Sequence, residues 1–203
     1  MGLFAKVVER VSDHPVLFIF IRGILENDFK AIRSVIRREL RPGRGLRSLD
    51  LGCGPGAFAD LFLGDDYFGV DLNARYIEHA RRTRTGTFLV SDARKVDLPN
   101  ERFDQVLIFG LLHHLPDDYV RAVLGEATRL LAPGGKILAI EDIPAISKMN
   151  LIGHLIHNVE NGEHIRPAEE YRRLYAEGGR RIEKEEILQS GICDYYAAVL
   201  TRQ

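Results

Sequence analysis

Arg47-Ser-Leu-Asp-Leu-Gly-Cys-Gly-Pro-Gly-Ala57 decides how the rest of the chain is read. Ser48 to Leu51 predicts a short buried strand. Gly52, Gly54 and Gly56 predict a turn, and Ala57 to Phe62 the first turns of a helix. Glycines at alternate positions strip the backbone of Cβ atoms, so a ligand can lie directly on it. A helix N-terminus behind such a loop offers N–H groups and a positive dipole end to a carboxylate or phosphate. The pattern reads as a cofactor turn after strand 1 of a doubly wound α/β sheet. A tight strand-to-helix turn without a ligand has the same composition, so the downstream residues decide.

The chain has 203 residues, 45% of them hydrophobic, enough to bury the core of one domain. Net charge is −1 and the pI is near 6.7, so no global basic field marks nucleic acid as a partner. Arginines cluster between Arg33 and Arg47, where a solvated helix face and an anion patch are both compatible readings. Cys53 and Cys193 form no disulfide framework and have no zinc-ligand spacing, which implies a reducing, cytoplasmic setting. The apolar run Val16 to Ile21 stops at Arg22, far short of the ~20 residues a membrane span needs. No cleavage pattern follows it, so a soluble protein without a transmembrane segment is expected. The pattern specifies no oligomeric state.

Taken in order, Ser12 or Asp13 opens an apolar helix that reaches Leu25, and a second helix, Asp28 to Leu40, puts Phe29, Ile32, Ile36 and Leu40 on one stripe. Strand 2 is Tyr67 to Asp71, with an acidic residue about 20 positions after the glycine loop, where a ribose would be met. Ala74 to Arg84 is a helix. Strand 3, Thr87 to Ser91, ends at Asp92-Ala93. Strand 4, Phe103 to Phe109, is continuously apolar enough to be buried on both faces, and runs into Gly110-Leu-Leu-His-His-Leu115. A helix capped by Asp117 or Asp118 follows, to Leu131. The Pro133-Gly134-Gly135 turn then leads to strand 5, Lys136 to Ile140, which delivers Glu141 and Asp142 to the same sheet edge. Ile146 to Asn158 and Pro167 to Glu177 read as helices, and Arg181–Gln189 with Asp194–Thr201 as a hairpin.

Two cofactor readings fit the loop. Gly52-x-Gly54-x-x-Ala57 matches the looser dinucleotide fingerprint, which would suit an NAD(P)-binding oxidoreductase. Gly52-x-Gly54-x-Gly56 preceded by Asp50 resembles motif I of the class I S-adenosylmethionine-dependent methyltransferases. Ser91-Asp92-Ala93, the His-His-Leu element and Leu130-x-Ala-Pro-Gly-Gly135 resemble the same family, nearest its small-molecule, ubiquinone-modifying branch. The likeness covers roughly residues 46 to 142. It implies a Rossmann-like doubly wound sheet, mostly parallel, with helices on both faces and one antiparallel edge strand from the C-terminal hairpin. The expected layout is one domain: an N-terminal cover (1–45), a cofactor core (46–142), and acceptor-side helices with the hairpin (143–203).

By that resemblance the cofactor is S-adenosyl-L-methionine. Asp50, Gly52, Cys53, Gly54 and Gly56 would hold its methionine end, Asp71 with Leu72 its ribose, and Asp92 with Ala93 its adenine; Phe109 lies beside it. The expected reaction is methyl transfer to oxygen, nitrogen or carbon of a small acceptor by in-line displacement. A module that binds the cofactor without transfer is the alternative. His113 and His114 at the strand-4 exit are candidate bases, with His114 favoured and Glu141 or Asp142 orienting it. His154 and His157 share a helical face at a spacing also seen in metal sites, but no metal is assigned. Phe18, His157, His164, Arg166 and Tyr171 are expected to line a pocket for an amphipathic or lipid-like acceptor, with Arg166 on an acidic head. The strand-4 exit lacks the Asn/Asp-Pro-Pro-aromatic signature of family members that methylate bases, which argues against DNA.

Overall fold

The computed structural model describes residues 23–24, 26–146 and 164–203. Most of the expected helix over 13–25 and all but the first residue of that over 146–158, and with them Phe18, His154 and His157, lie outside the described residues, as does nearly all of the expected polar turn 160–164.

Seven strands form a single sheet in the order β3-β2-β1-β4-β5-β7-β6. They are β1 (Arg47–Leu51), β2 (Asp66–Asp71), β3 (Thr87–Val90), β4 (Phe103–Phe109), β5 (Leu131–Ile143), β6 (Arg180–Ser190) and β7 (Cys193–Arg202). β1 to β5 are mutually parallel where they pair, and β7 runs antiparallel to both β5 and β6. The chain moves outward from β1 to β3 and then returns to β4 on the other side of β1. That reversal makes the carboxyl ends of β1 and β4 the switch point where α/β sheets bind ligands.

Helices cover both faces. On one side lie α1 (Lys30–Glu39) and α2 (Ala74–Thr83), which bury Ile32, Ile36, Ile77 and Ala80. On the other lie α3 (Asp117–Leu130) and α4 (Ala168–Ala176), which bury Val120, Leu124, Tyr171 and Leu174. The stripe expected on the second helix is real: Phe29, Ile32, Ile36 and Leu40 are all buried. β4 is covered from both sides, with Val106, Leu107 and Ile108 at 0% exposure, as a continuous apolar parallel strand requires.

The antiparallel strand does come from the C-terminal hairpin, and its place in the sheet is informative. β7 inserts against β5, while β6 takes the edge. Tyr195-Tyr-Ala-Ala-Val-Leu200 is apolar throughout and buried. Arg181, Glu183, Lys184, Glu185 and Glu186 give β6 a charged outer rim, and such a rim discourages pairing with further strands.

Three local expectations are corrected. No α-helix follows the glycine loop: residues 54–58 are turns, and a four-residue 3-10 helix, Ala59–Phe62, completes the connection. Gly64, at φ 96°, reverses the chain immediately afterwards, so there is no length for more than one helical turn. The Pro-Gly-Gly element does not precede β5 but lies inside it as an irregularity, with register passing from Phe103↔Leu131 to Gln105↔Lys136. Gly134 at φ 75° makes the bend. A Cβ on Gly135 would lie 2.8 Å from the Asp104 carbonyl oxygen. Neither Asp117 nor Asp118 caps α3. Pro116 holds the N-cap position with no side-chain cap, and the Asp117 carboxylate is bound to Arg166.

Candidate active site at the strand carboxyl ends

The glycine loop is held from below and from the side. Gly52 N–H and Cys53 N–H both donate to the Val70 carbonyl, at 2.8 and 3.0 Å, tying the loop to β2. Gly52, Gly54 and Gly56 all have positive φ (79°, 53° and 76°), which L side chains avoid. A Cβ at Gly52 would meet Leu111 at 3.1 Å, so this glycine admits the β4 exit loop. A Cβ at Gly54 would meet nothing closer than Tyr76 Cδ2 at 3.8 Å, so Gly54 faces comparatively open space. Cys53 is buried, and burial pushes its thiol well above the ordinary value.

Asp71, at the end of β2, clasps this loop. Its carboxylate accepts from Gly54 N–H and from Asn73 N–H, both at 2.8 Å. Burial raises its pKa, against the pull of those backbone N–H groups. Each oxygen keeps a lone pair, so the clasp leaves capacity for further donors. Next to it, Leu72 is 72% exposed, an apolar side chain standing in solvent at the sheet edge.

Asp50 is not open to the cleft. It is 2% exposed beneath the loop, and its carboxylate accepts from the Tyr67 hydroxyl at 2.8 Å. Burial pushes its pKa up to about 7; the Tyr67 hydrogen bond opposes this and the nearby Asp71 charge adds to it. Any service it gives the methionine end of a cofactor is therefore rendered from below. Opposite it in register stands Gly69, where a Cβ would be 2.8 Å from Cys53 Sγ, so this glycine makes room for the loop thiol.

Asp92 follows β3 as expected, half-buried, but its carboxylate is already engaged. Arg94 reaches it through Nε at 2.9 and 3.0 Å and through Nη2 at 2.5 Å, and its backbone N–H adds a contact at 2.9 Å. The guanidinium holds the Asp92 carboxyl below its ordinary value and lies 3.9 Å from the Tyr119 ring centroid. Ala93 is half-buried beside it. At the β4 end, Phe109 is half-buried in an edge-to-face cluster with Phe58 (5.0 Å) and Phe29 (6.0 Å), and lies 5.8 Å from Tyr195.

The β4 exit, Gly110 to Pro116, is built around Glu141. This residue, at 0% exposure, accepts from the N–H groups of Leu111 (3.1 Å), Leu112 (2.9 Å) and His113 (3.2 Å). Its Oε2 also lies 2.9 Å from His113 Nδ1. Glu141 is thus an anchor for the loop and for one histidine ring, not an open base. The two histidines face different ways, as adjacent residues of a 3-10 turn do: His113 is 2% exposed, whereas His114 is exposed. Their ring centroids are 4.0 Å apart.

Two residues expected on the acceptor side are buried and already engaged within the fold. Arg166 does not wait for an acidic ligand. It is 4% exposed, and its N–H groups go to the carbonyls of Leu112 (3.1 Å), His164 (2.8 Å) and Leu115 (2.6 Å) and to Asp117 (3.0 and 2.9 Å). Of the five N–H donors of a guanidinium, four are in hydrogen bonds, and Nη2 also makes the 2.9 Å ion pair with Asp117. Tyr171 is fully buried under α4 against Tyr175 and Tyr196 instead of lining a cleft. His164 is half-buried, and its backbone N–H donates to the His113 carbonyl at 3.1 Å. Sequence reasoning missed Arg94 and Tyr67, the partners of two of the expected aspartates. Neither spacing carries a signal, because each contact depends on side-chain direction off a folded strand or turn. A groove of 310 Å³ between α1 and the β6–β7 hairpin shares no residue with this region. No three metal-ligating groups converge among the described residues, and no helix among them is long and apolar enough to cross a membrane.

Comparison with known proteins agrees with this geometry. Residues 49–135 match a family model described as a methyltransferase domain. The chain is 35% identical over 129 residues to the ubiquinone biosynthesis O-methyltransferase of Paramagnetospirillum magneticum, covering 60% of this chain and 49% of that protein. The chain therefore spans about half the length of that curated relative. Among solved structures, a SAM-dependent methyltransferase from Leishmania major superposes with a TM-score of 0.70 at 21% identity, covering 98% of this chain and 83% of that one. The geranyl diphosphate C-methyltransferase of Streptomyces coelicolor, solved with Mg2+, geranyl diphosphate and S-adenosyl-L-homocysteine, also gives 0.70, at 16% identity over 87% of this chain and 80% of its own. The glycine loop, the switch point and the match to the methyltransferase-domain family all fall in one stretch, residues 49–135, and that stretch is what this chain shares with those proteins.

Proposed function

We propose that this chain transfers the methyl group of S-adenosylmethionine to a small, partly apolar acceptor. The observation that carries the reading is the Asp71 clasp at the switch point: a carboxylate that shapes the glycine loop through Gly54 N–H and keeps lone pairs for ribose hydroxyls. Exposed Leu72 beside it offers an apolar surface to a nucleoside base, and the open space at Gly54 suits a ligand resting on the backbone. Gly52 and Gly56 complete that loop, with buried Cys53 and Asp50 below it. Asp92 and Ala93 are the adenine end of the site in this reading, and Arg94 shares the Asp92 carboxylate with the base. Phe109 borders the reacting centre.

When bound, the sulfonium supplies an already activated methyl carbon. The chain has to align the acceptor for in-line displacement and exclude water, which proximity and orientation supply. An acceptor hydroxyl or amine also gives up a proton. Exposed His114 is the candidate to take it, while Glu141 fixes His113 and the whole β4 exit in place. The core at 46–142, flanked by 1–45 and 143–203, acts as one domain in this proposal, with selectivity supplied from the flanks because fold alone does not specify substrate.

Titration calorimetry with S-adenosylhomocysteine, NADH and NADPH tests the assignment. Binding of the homocysteine product alone is expected. Binding of a nicotinamide cofactor without it overturns the reading.

A further inference from the structure

Asp142 sits at the carboxyl end of β5, one residue beyond the Glu141 anchor. It is 0% exposed, and neither carboxylate oxygen has a hydrogen-bond partner among the described residues. The nearest cationic candidate is His113, whose Nδ1 lies 3.8 Å from Asp142 Oδ2 and is already bonded to Glu141 at 2.9 Å. Leaving a carboxylate buried with both oxygens unsatisfied is expensive, more so than leaving a neutral group. Neighbouring Glu141, by contrast, accepts from three backbone N–H groups and a ring nitrogen. The loop thus has all the anchoring it uses, and Asp142 takes no part in it.

The surroundings of Asp142 are aromatic. It pairs in register with Tyr195 of β7, and directly opposed residues of an antiparallel pair point to the same face. Tyr195 lies 5.8 Å from Phe109, which packs edge-on against Phe58 and Phe29. The Tyr195 hydroxyl is committed to Glu26, so it does not serve Asp142. Phe109 is the half-buried member of this cluster, and it stands at the β4 exit, beside the histidines.

Resting on the methyltransferase reading above, we infer that Asp142 is the acceptor-recognition group: the acceptor brings a hydroxyl or ammonium donor to this carboxylate and lays an apolar, ring-sized body against Phe109. An acidic head is the wrong chemistry here. The one arginine placed to receive it by sequence, Arg166, is 4% exposed and already hydrogen-bonded to three backbone carbonyls and ion-paired with Asp117. A carboxylate or phosphate brought next to Asp142 and Glu141 would also meet like charge.

The test uses the full chain, first titrated with S-adenosylhomocysteine, then probed with benzyl alcohol, benzylamine and benzoate by ligand-observed NMR. Wild type is expected to bind the two donors about ten- to a hundredfold better than benzoate, the worth of a hydrogen bond to a charged group. In Asp142→Asn that preference collapses, while S-adenosylhomocysteine affinity is unchanged. The variant's melting temperature stays level or rises, because an unsatisfied buried charge has been removed. Equal or tighter binding of benzoate by wild type overturns the inference. So do donor preference that survives in Asp142→Asn, failure of both donors to bind, and a lowered melting temperature, which would assign Asp142 to holding His113. Failure of S-adenosylhomocysteine to bind wild type is a separate result and strikes the methyltransferase reading itself.

Discussion

Replacing Asp50 by asparagine should stabilise this protein at pH 8 and leave it nearly unchanged at pH 4. The carboxyl group is 2% exposed beneath the glycine loop, and burial raises its pKa from the ordinary 3.8 to about 7. A raised folded-state value means the native state binds the proton more tightly than the unfolded chain does. The stabilisation from that proton is fully present below the unfolded value, near pH 4, and is lost as pH rises through about 7. At 1.36 kcal/mol per unit, the shift is worth at most about 4 kcal/mol across that window. Asparagine keeps the shape and an acceptor for the Tyr67 hydroxyl but cannot ionise, so the loss disappears. Urea denaturation of both proteins from pH 4 to 8.5 isolates the effect, because every other titrating group is common to the two curves. The difference should open steadily between about pH 4 and 7. Curves that stay parallel over that interval would refute the argument and return Asp50 to an ordinary, hydrated carboxylate.

Asp71→Ala removes the acceptor for Gly54 N–H and Asn73 N–H and, in the proposed function, the ribose contact. S-adenosylhomocysteine binding should weaken by ~1.5–3 kcal/mol in calorimetry with the sheet still folded by circular dichroism; unchanged affinity means that β2 does not meet the ribose. Arg166→Met should lower stability by ~2–4 kcal/mol, since three backbone carbonyls and Asp117 lose their donors at a buried site. Arg166→Lys should restore little of it, because an ammonium has three donors where the guanidinium has five. Denaturation curves that overlay wild type for Arg166→Met would show that the staple is dispensable.

The sheet around the glycine loop was legible because its signals are local. Alternate glycines, an apolar strand before them and an acidic residue after each of the next two strands recur at fixed spacing, and backbone geometry carries that spacing into the fold. The edge was less legible. A hairpin was readable from Gly191 and its flanks, but which strand inserts beside β5 depends on apolar content: Tyr195 to Leu200 is buried and β6 carries the charges. Composition held that answer once the sheet order was known. The helix expected after the glycine loop failed because Gly64 stops the chain within one turn, a limit on length that local propensity does not register.

By itself the sequence determined the strands that flank the glycine loop and the acidic residues at their carboxyl ends, which follow from periodicity and short-range spacing, while the cofactor came from the family resemblance. Only the tertiary structure decided which charged groups are still available. Arg166 and Glu141 carry the residue types of ligand-binding groups, yet the first is bound to three backbone carbonyls and Asp117 and the second accepts four hydrogen bonds within the β4 exit. Asp142, one position away, has no hydrogen-bond partner among the described residues, only the His113 ring at 3.8 Å. A side chain's charge is written in the sequence. Whether that charge is already satisfied depends on hydrogen bonds to groups some 30 to 50 residues distant, and those exist only once the chain has folded.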